Sequence, residues 1–429
     1  MRHSVYLHVP FCTHRCAYCD FTTYAGQERS IPAYVSALCA EVDYVGNWAP
    51  EGVSVHTIFF GGGTPSLLLS EQVGLVLATI RRALPVEEAA EVTLEANPGT
   101  VSPRGLQTLR AAGINRISLG VQSANGEELR MLERAHNYGD VLDAVSGVRR
   151  AGFDNLNTDL IYGLPGQTMY TWQTTVRRVL DLRPDHFSAY ALTLEHGTPF
   201  ERWSSRGLLS APDPDRAADM YEWLSYELQT AGYEQYEISN WAHPGRECLH
   251  NLQYWRGGPY LGFGAGAHGY AGGYRYSNMP AIRSYTERFS QQAADERGTG
   301  ARTVSAPPES VRKRAHYPCS PAVITHHRQS TQDDIGEFMI TGLRLTKEGV
   351  SANRFQRRFG TGLLEMYGRE IPQLTQSGLL EWTESKSVGA ARDDQDPGGG
   401  NDQSIRLTTR GRLLGNHVFA EFLSPAAVD

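Results

Sequence analysis

Val5-Tyr6-Leu7-His8-Val9-Pro10-Phe11-Cys12-Thr13-His14-Arg15-Cys16-Ala17-Tyr18-Cys19 is an apolar strand that runs straight into three cysteines spaced CxxxCxxC. Three of the chain's six cysteines fall within eight residues, on a loop directly after a strand. Lone core cysteines do not crowd in this way. Thiolates at such spacing are ligands for iron–sulfur clusters, and three of them leave one iron of a 4Fe–4S cluster open to a further chelate. The competing reading is structural zinc, which needs a fourth Cys or His nearby; His14 lies inside the loop.

Outward from that loop, short apolar strands alternate with helical stretches. The strands are expected at Val5–Phe11, His56–Phe60, Val92–Ala96, Ile117–Gln122, Leu156–Tyr162 and Phe187–Leu192. Helix entries are marked by Ser30 before Ile31-Pro32, by Ser70, and by Ser102 before Pro103. Strand–helix repetition implies a parallel sheet, open or closed into a barrel. Along the strands Thr93, Glu95 and Asn97 alternate with Val92, Leu94 and Ala96. Ser118, Gly120 and Gln122 do the same on the next, as do Asn155, Asn157 and Asp159 on the one after. Period two sends one set outward and the other inside. Polar residues pointing inward near strand C-termini stand where such barrels build sites, although buried polar layers can also bond only to one another. Gly61-Gly62-Gly63-Thr64-Pro65 ends the second strand, where glycines let backbone groups approach a ligand without a Cβ in the way.

The chain's 429 residues suit a large core and two domains. A net charge of −7, without like-charge runs, gives no footprint for nucleic acid or anionic lipid. His8 and Pro10 break the N-terminal apolar run, so no signal peptide is read, and no segment is long enough to span a bilayer. The expected compartment is the cytoplasm, where disulfides do not persist. A helix is expected from Pro212 to Ala231, followed by a Gly- and aromatic-rich stretch, Tyr254 to Tyr276. Residues 291–332 show scattered charge and no periodicity and read as a disordered insertion; their His316-Tyr317-Pro318-Cys319 and His326-His327 lack the paired spacing of zinc ligands. Asp334 to Leu423 reads as helix, helix, strand (Gly378–Trp382), strand (Ile405–Thr408) and helix, with a polar flexible loop at Glu384–Gln403. That order is winged-helix-like, but 11 Lys/Arg against 13 Asp/Glu from Asp334 onward speaks against DNA binding.

These residues together resemble the radical S-adenosylmethionine (SAM) superfamily, in particular the branch of the oxygen-independent coproporphyrinogen III dehydrogenases (HemN) and the HemW heme chaperones. The pieces are Tyr6–Cys12, the cysteine triplet, Gly61–Pro65, Glu95-Ala96-Asn97-Pro98, Gly120-Val121-Gln122-Ser123 and Asp159–Gln167. The likeness covers residues 4–285 and resumes at Glu337-Phe338-Met339. It implies a partial (β/α)6 barrel with additional strands and a small C-terminal α+β winged-helix-like domain. Its divisions are a radical SAM core over 1–232, a segment completing it over 233–290, the insertion over 291–332 and a HemN-type domain over 333–429.

By that resemblance Cys12, Cys16 and Cys19 hold the 4Fe–4S cluster, and SAM chelates the open iron. Gly62, Gly63 and Thr64 meet SAM's amine, and Arg134 its carboxylate, unless Arg134 forms only a surface pair with Glu133 or Glu128. Glu95, Gln122 and Asp159 bond the amine and ribose, while Tyr6, Tyr18 and Ala191 line the cluster and adenine. An electron from the cluster would cleave SAM's C–S bond to a 5′-deoxyadenosyl radical.

Two features separate the branch members. Phe21 stands where HemN-type enzymes carry a fourth cysteine, and the first strand begins near residue 4 with no extension before it. His250-Asn251-Leu252-Gln253-Tyr254-Trp255 and the glycine-rich Tyr260–Gly269 resemble HemW. That group implies heme binding and delivery to recipient hemoproteins, including ones at the membrane surface; coproporphyrinogen decarboxylation is the alternative. His250 is the first candidate axial ligand, with Cys248 and His268 behind it. The other reading of His250 is a buried histidine that bonds backbone and orients Trp255.

Overall fold

A computed structural model describes residues 2–47, 49, 52–297, 320–384 and 402–423, with no side-chain description over 291–297. The described chain divides into two units. The larger takes Met1–Ala231, Cys248–His250 and Gly258–Arg328. The smaller takes Gly232–Glu247, Asn251–Gly257 and Gln329–Asp429. The expected core-completing segment at 233–290 is therefore shared between the two units.

In the larger unit six parallel strands follow one another in chain order: β1 (Arg2–Val9), β2 (Ser54–Gly62), β3 (Val86–Ala96), β4 (Arg116–Gln122), β5 (Leu156–Tyr162) and β6 (His186–Ala191). Each expected strand lies within one of these, save that the first stops at Val9 and the last at Ala191. Between them run α1 (Ile31–Gly46), α2 (Ser70–Ala83), α3 (Pro103–Ala112), α4 (Tyr138–Arg150) and α5 (Met169–Leu180), with α6 (Pro214–Thr230) after β6. The caps obey local chemistry. Ser102 accepts from the Gly105 N–H at 3.1 Å ahead of Pro103, and Gly113 ends α3 at φ 108°. Ser70 instead opens α2, where the Gln72 side chain caps the Leu69 N–H.

Beyond β1 the sheet continues through β7 (Tyr260–Phe263), parallel to β1, then antiparallel β8 (His268–Ala271), β9 (Tyr274–Asn278) and β10 (Val323–Arg328). A helix from Ile282 to Arg297 follows β9. Both findings correct the disordered insertion read over 291–332 at its two ends: helix covers its start, β10 pairs with β9 within it, and the next helix opens at Thr331, while residues 298–319 lie outside the described residues. The physical reason is that β10 is an edge strand with five of its six residues exposed, held by its ladder and carrying no hydrophobic alternation. His316 to Cys319 and most of the Glu384–Gln403 loop lie outside the described residues.

A buried carboxylate fastens this extension to the helical layer. Glu41 of α1 accepts from the Gly264 N–H at 2.8 Å, Tyr285 Oη at 2.6 Å, Asn278 Nδ2 at 2.8 Å and Ser320 Oγ at 2.6 Å. Burial raises its pKa, against the pull of those four donors.

The smaller unit holds helices Thr331–Arg344, Ala352–Phe359 and Glu370–Gln376 and a three-stranded sheet of Val350–Ser351, Gln403–Leu407 and Leu380–Glu384. Phe338, Met339, Phe355, Ile371, Ile405 and Leu407 form its core. This is the winged-helix order expected, with the two long strands shifted by about two residues, an ordinary boundary error.

Glu41→Gln puts an amide NH2 among four donors in a dry site. Urea unfolding is expected to show a loss of about 3 kcal/mol. A midpoint equal to wild type would mean that these bonds contribute nothing net.

Candidate functional site: a cysteine loop at the mouth of the barrel

The cysteine loop leaves β1 through Pro10 and is tied down at both ends. Phe11–Cys12 pairs in parallel with Tyr24–Ala25, and the Tyr24 N–H donates to the Pro10 carbonyl at 2.8 Å. Between the cysteines, Ala17 is fully buried with Leu132, Ile161, Leu164, Leu192 and Phe200, and its carbonyl accepts from the Phe200 N–H at 3.1 Å. Tyr18 packs edge-on to Phe200, with 6.3 Å between ring centroids.

The glycine run clasps this loop. Gly63 N–H donates to the Val9 carbonyl and Thr64 N–H to the Phe11 carbonyl, both at 2.8 Å. A Cβ on Gly63 would stand 2.6 Å from the Phe11 oxygen and 3.0 Å from Cys12 Sγ, so no larger residue fits. Gly62 sits at φ 112°, a region that L side chains avoid, and its N–H reaches Glu95 Oε2 at 3.2 Å.

Cys12 is buried, Cys16 and Cys19 are part-exposed, and all three are free thiols. Thr64 Oγ1 lies 3.6 Å from Cys12 Sγ and Arg134 Nη1 lies 3.7 Å from Cys16 Sγ. Burial pushes the Cys12 and Cys19 thiols up, and the neighbouring sulfurs push further. The Cys12 and Cys19 thiolates are thus disfavoured unless a cationic centre joins them, which is the coupling expected of metal ligands. Among the described residues no three or more His, Cys, Asp or Glu side chains converge on a single-ion site. His14, the fourth ligand a zinc reading needs, is engaged with Glu133 at 3.2 Å.

Cross-strand register carries the inward rows. Ser4, Thr57, Glu91 stand level, as do Tyr6, Phe59, Thr93, Arg116, and then Glu95, Ser118, Asn157, His186. Asp159 accepts from Ser118 Oγ at 2.9 Å and Asn157 Nδ2 at 2.7 Å, and His186 Nδ1 lies 2.6 Å from Asn157 Oδ1. So part of the polar interior does bond to itself, as one reading allowed, and thereby holds Asp159 in one orientation. Glu95 is pushed up to about 8, mostly by burial and then by Asp159, so at neutral pH it is largely protonated. Burial also raises Asp159 and the Tyr6 phenol. Tyr6 Oη lies 3.0 Å from His8 Nδ1, whose Nε2 lies 2.9 Å from the Thr22 carbonyl. That carbonyl needs the proton on Nε2, so Tyr6 donates to Nδ1.

Gln122 ends β4 at φ 63°, after a bulge between Gly120 and Gln122. Positive φ in a non-glycine residue costs energy and is found where a side chain must be re-aimed. Arg134 donates to the Gly120 carbonyl at 2.9 Å and to Asn97 Oδ1. Its partners are not Glu133 or Glu128, so the surface-pair reading fails. Ala191 is the exposed last residue of β6. The structure therefore brings Tyr6, Gly62, Gly63, Thr64, Glu95, Gln122, Arg134, Asp159 and Ala191 to one end of the parallel strands, with Tyr18 in the cysteine loop.

Asn97 was legible only as part of a motif, yet its Nδ2 donates to Thr64 Oγ1 at 3.1 Å while its oxygen takes Arg134, linking the glycine run to β4. Arg116 was also missed. It is almost fully buried, and its charge is felt by Glu95, Asp159, His186 and His250. Its inward place in the Arg116, Ser118, Gly120 alternation was the available signal.

His250 is a correction. It is 1% exposed, its Nδ1 lies 2.8 Å from Thr57 Oγ1, and its ring stacks on Phe59 at 4.9 Å. Burial drives its pKa down to about 3. Its N–H is held by Glu91 Oε1 at 3.1 Å, and Cys248 Sγ lies 3.6 Å from the same oxygen. The ring is packed among side chains of the barrel interior and offers no surface to a macrocycle. Trp255 belongs to the smaller unit, where the Arg344 guanidinium lies 4.3 Å from its ring.

A parallel (β/α)6 sheet with a three-cysteine loop after its first strand and a glycine run after its second defines a radical SAM protein. The pattern of the radical SAM superfamily matches residues 6–179, and that of the HemN C-terminal domain matches residues 329–386. The chain belongs to the HemW family of that superfamily. It is 35% identical to the heme chaperone HemW of Bacillus subtilis over 98% of this chain and 99% of that one. To the heme chaperone HemW of Lactococcus lactis it is 37% identical, over 98% of this chain and 97% of the other. The solved structure of coproporphyrinogen III oxidase (HemN) from Escherichia coli, a radical SAM enzyme, shares the fold with a TM-score of 0.75 at 21% identity, over 99% of this chain and 90% of that one. Membership implies a 4Fe–4S cluster and SAM.

Glu95 supplies a test of the interior. Between pH 4.5 and about 8 the unfolded chain loses this proton while the folded chain keeps it. Stability therefore falls as pH rises through that window, by at most about 1.4 kcal/mol per unit, and levels off above it. Glu95→Gln removes the penalty. Thermal unfolding of the metal-free protein is expected to show variant and wild type converging in acid and the variant gaining toward pH 8; parallel curves would mean Glu95 is not buried as described.

Proposed function

We propose that this protein is a heme carrier that binds heme and hands it to hemoproteins, with a 4Fe–4S cluster on Cys12, Cys16 and Cys19 and SAM beside it. The observation that carries the reading is its full-length kinship with heme chaperones. Phe21 supports it: this side chain, 62% exposed, occupies the place of the extra cysteine of HemN-type enzymes. The likeness to HemN in fold keeps coproporphyrinogen dehydrogenation as the second reading.

The cysteine loop fits a cluster by its donors, by the glycine cradle at Gly63 and by two sulfur contacts from Thr64 and Arg134. When bound, the cluster supplies one-electron chemistry to SAM. The chain's own residues bind and orient. Carbonyls of the Gly62–Gly63 run face an ammonium as acceptors, and the Arg134 guanidinium suits a carboxylate. Asp159, held by Ser118 and Asn157, and Glu95 offer acceptors to hydroxyl and amine groups. No described helix is long and apolar enough to cross a membrane, and we place the protein in the cytoplasm.

The close approach of Gly63 to Cys12 has a practical consequence. Gly63→Val is expected to disturb the cysteine loop as well as the SAM contact, so iron content and SAM affinity should fall together. Anaerobic reconstitution of the wild type should load about four iron and four sulfide per chain, and each of Cys12→Ala, Cys16→Ala and Cys19→Ala should abolish it. The same reconstituted protein should take up one heme and make no protoporphyrinogen from coproporphyrinogen III. Robust turnover of the porphyrinogen would replace the carrier reading with the enzyme.

A further inference from the structure

The cysteine loop returns to the barrel through Thr22-Thr23-Tyr24, and the backbone is fixed on both sides of Thr23. The Thr22 carbonyl bonds His8 Nε2 at 2.9 Å. A Cβ on Gly266 would stand 2.9 Å from Thr22 Cγ2, so Thr22 is walled in. The Tyr24 N–H is held by the Pro10 carbonyl at 2.8 Å, and Tyr24–Ala25 pairs with Phe11–Cys12. Thr23, between them, is buried, and its Oγ1 is sealed from solvent without a hydrogen-bond partner among the described residues. A hydroxyl left in that state costs free energy, and a fold keeps one where a bound group completes it.

What Thr23 faces is sulfur. Its hydroxyl lies within reach of both Cys12 and Cys19 and favours the thiolate at each. A neutral thiol is a weak acceptor, whereas a thiolate takes an O–H strongly. The bond is therefore one that the loop completes only in its ligand form. Around it the other donors already have their directions set. Arg134 donates to Asn97 Oδ1, which turns Asn97 Nδ2 toward Thr64 Oγ1 at 3.1 Å. Thr64 Oγ1 thus accepts from Asn97, and its own proton is left for Cys12 Sγ at 3.6 Å. Arg134 Nη1 stands 3.7 Å from Cys16 Sγ, and the Phe21 N–H faces Cys19. Each sulfur has a donor of its own, and Thr23 adds one that faces two of them.

We propose that the Thr23 hydroxyl donates to the sulfurs of Cys12 and Cys19 when they ligate the cluster, and so raises the cluster's reduction potential. The inference rests on the assignment of the cluster to these cysteines and goes beyond it, making Thr23 a tuning residue that touches the ligands and not SAM. An added electron puts more negative charge on the ligand sulfurs, so a donor aimed at them favours the reduced cluster over the oxidised one. The electron comes from an external one-electron reductant, and Thr23 keeps its proton throughout. Thr23→Val removes the donor and keeps the branched shape; Thr23→Ser keeps the donor and removes a methyl.

The test is a potentiometric titration of the full, reconstituted chain without SAM, with low-potential mediators, reading the reduced cluster by electron paramagnetic resonance. Wild type and Thr23→Ser are expected to share one potential. Thr23→Val should carry the same iron and sulfide but hold about three- to tenfold less reduced cluster at a given potential, a fall of about 30–60 mV for a one-electron couple. In the cluster-free chain the order reverses: with no bond to lose, Thr23→Val should unfold at a urea midpoint equal to or above that of wild type. A wild-type potential in a fully loaded Thr23→Val overturns the proposal while the cluster assignment stands. Should that variant fail to hold a cluster, Thr23→Ala is read in its place. If neither loads while Thr23→Ser does, the hydroxyl serves assembly and not the potential, and the proposal is again overturned. A wild type that loads no cluster removes the assignment and the proposal together.

Discussion

Two backbone hydrogen bonds, Gly63 N–H to the Val9 carbonyl and Thr64 N–H to the Phe11 carbonyl, fasten the end of one parallel strand to the loop that leaves its neighbour. They require an approach so close that Gly63 has no room for a Cβ beside Cys12. Everything at the mouth of the barrel depends on that contact. It sets Cys12 against Thr64, and Thr64 against Asn97. Asn97 in turn takes Arg134, which reaches Cys16. The ring of contacts closes on the cysteine loop from which it began. A metal centre built on three thiols gains from such preorganisation, because the loop does not have to be ordered when the ligands bind.

Below this mouth the barrel carries an unusual load of buried charge and imidazole. Arg116, Glu95 and Asp159 share the interior with His186 and His250. The field of Arg116 pulls the carboxyl pKa values down and drives the imidazoles further toward neutrality, while burial raises the carboxyls more than the arginine lowers them. Glu95 is thus poised near its own titration at physiological pH. Hydrogen bonds among Ser118, Asn157, Asp159 and His186 meet part of the polar demand of that interior.

The sheet extension lengthens the strand layer past β1. Its ladder continues the inward face of β1, and only its edge strand β10 is largely exposed. Glu41, with bonds to Gly264, Asn278, Tyr285 and Ser320, holds that extension rigidly to α1.

Sequence by itself determined the elements whose signal is local. The cysteine spacing, the glycine run, the cap before Pro103 and the period-two rows of Thr93 and Glu95, Ser118 and Gly120, Asn157 and Asp159 were all readable, because each depends on residues within one segment. The winged-helix order of the smaller unit was readable for the same reason. Only tertiary structure decided the rest. β10 was misread because an exposed edge strand carries no hydrophobic period. His250 was misassigned because its burial depends on Thr57, Phe59 and Glu91, far away in the chain. Glu41 gave no signal at all, since its four donors come from four separate segments that meet only in the folded sheet. Local spacing encodes which groups can bind a ligand, but the surroundings of each group are set by long-range register, which no single segment contains.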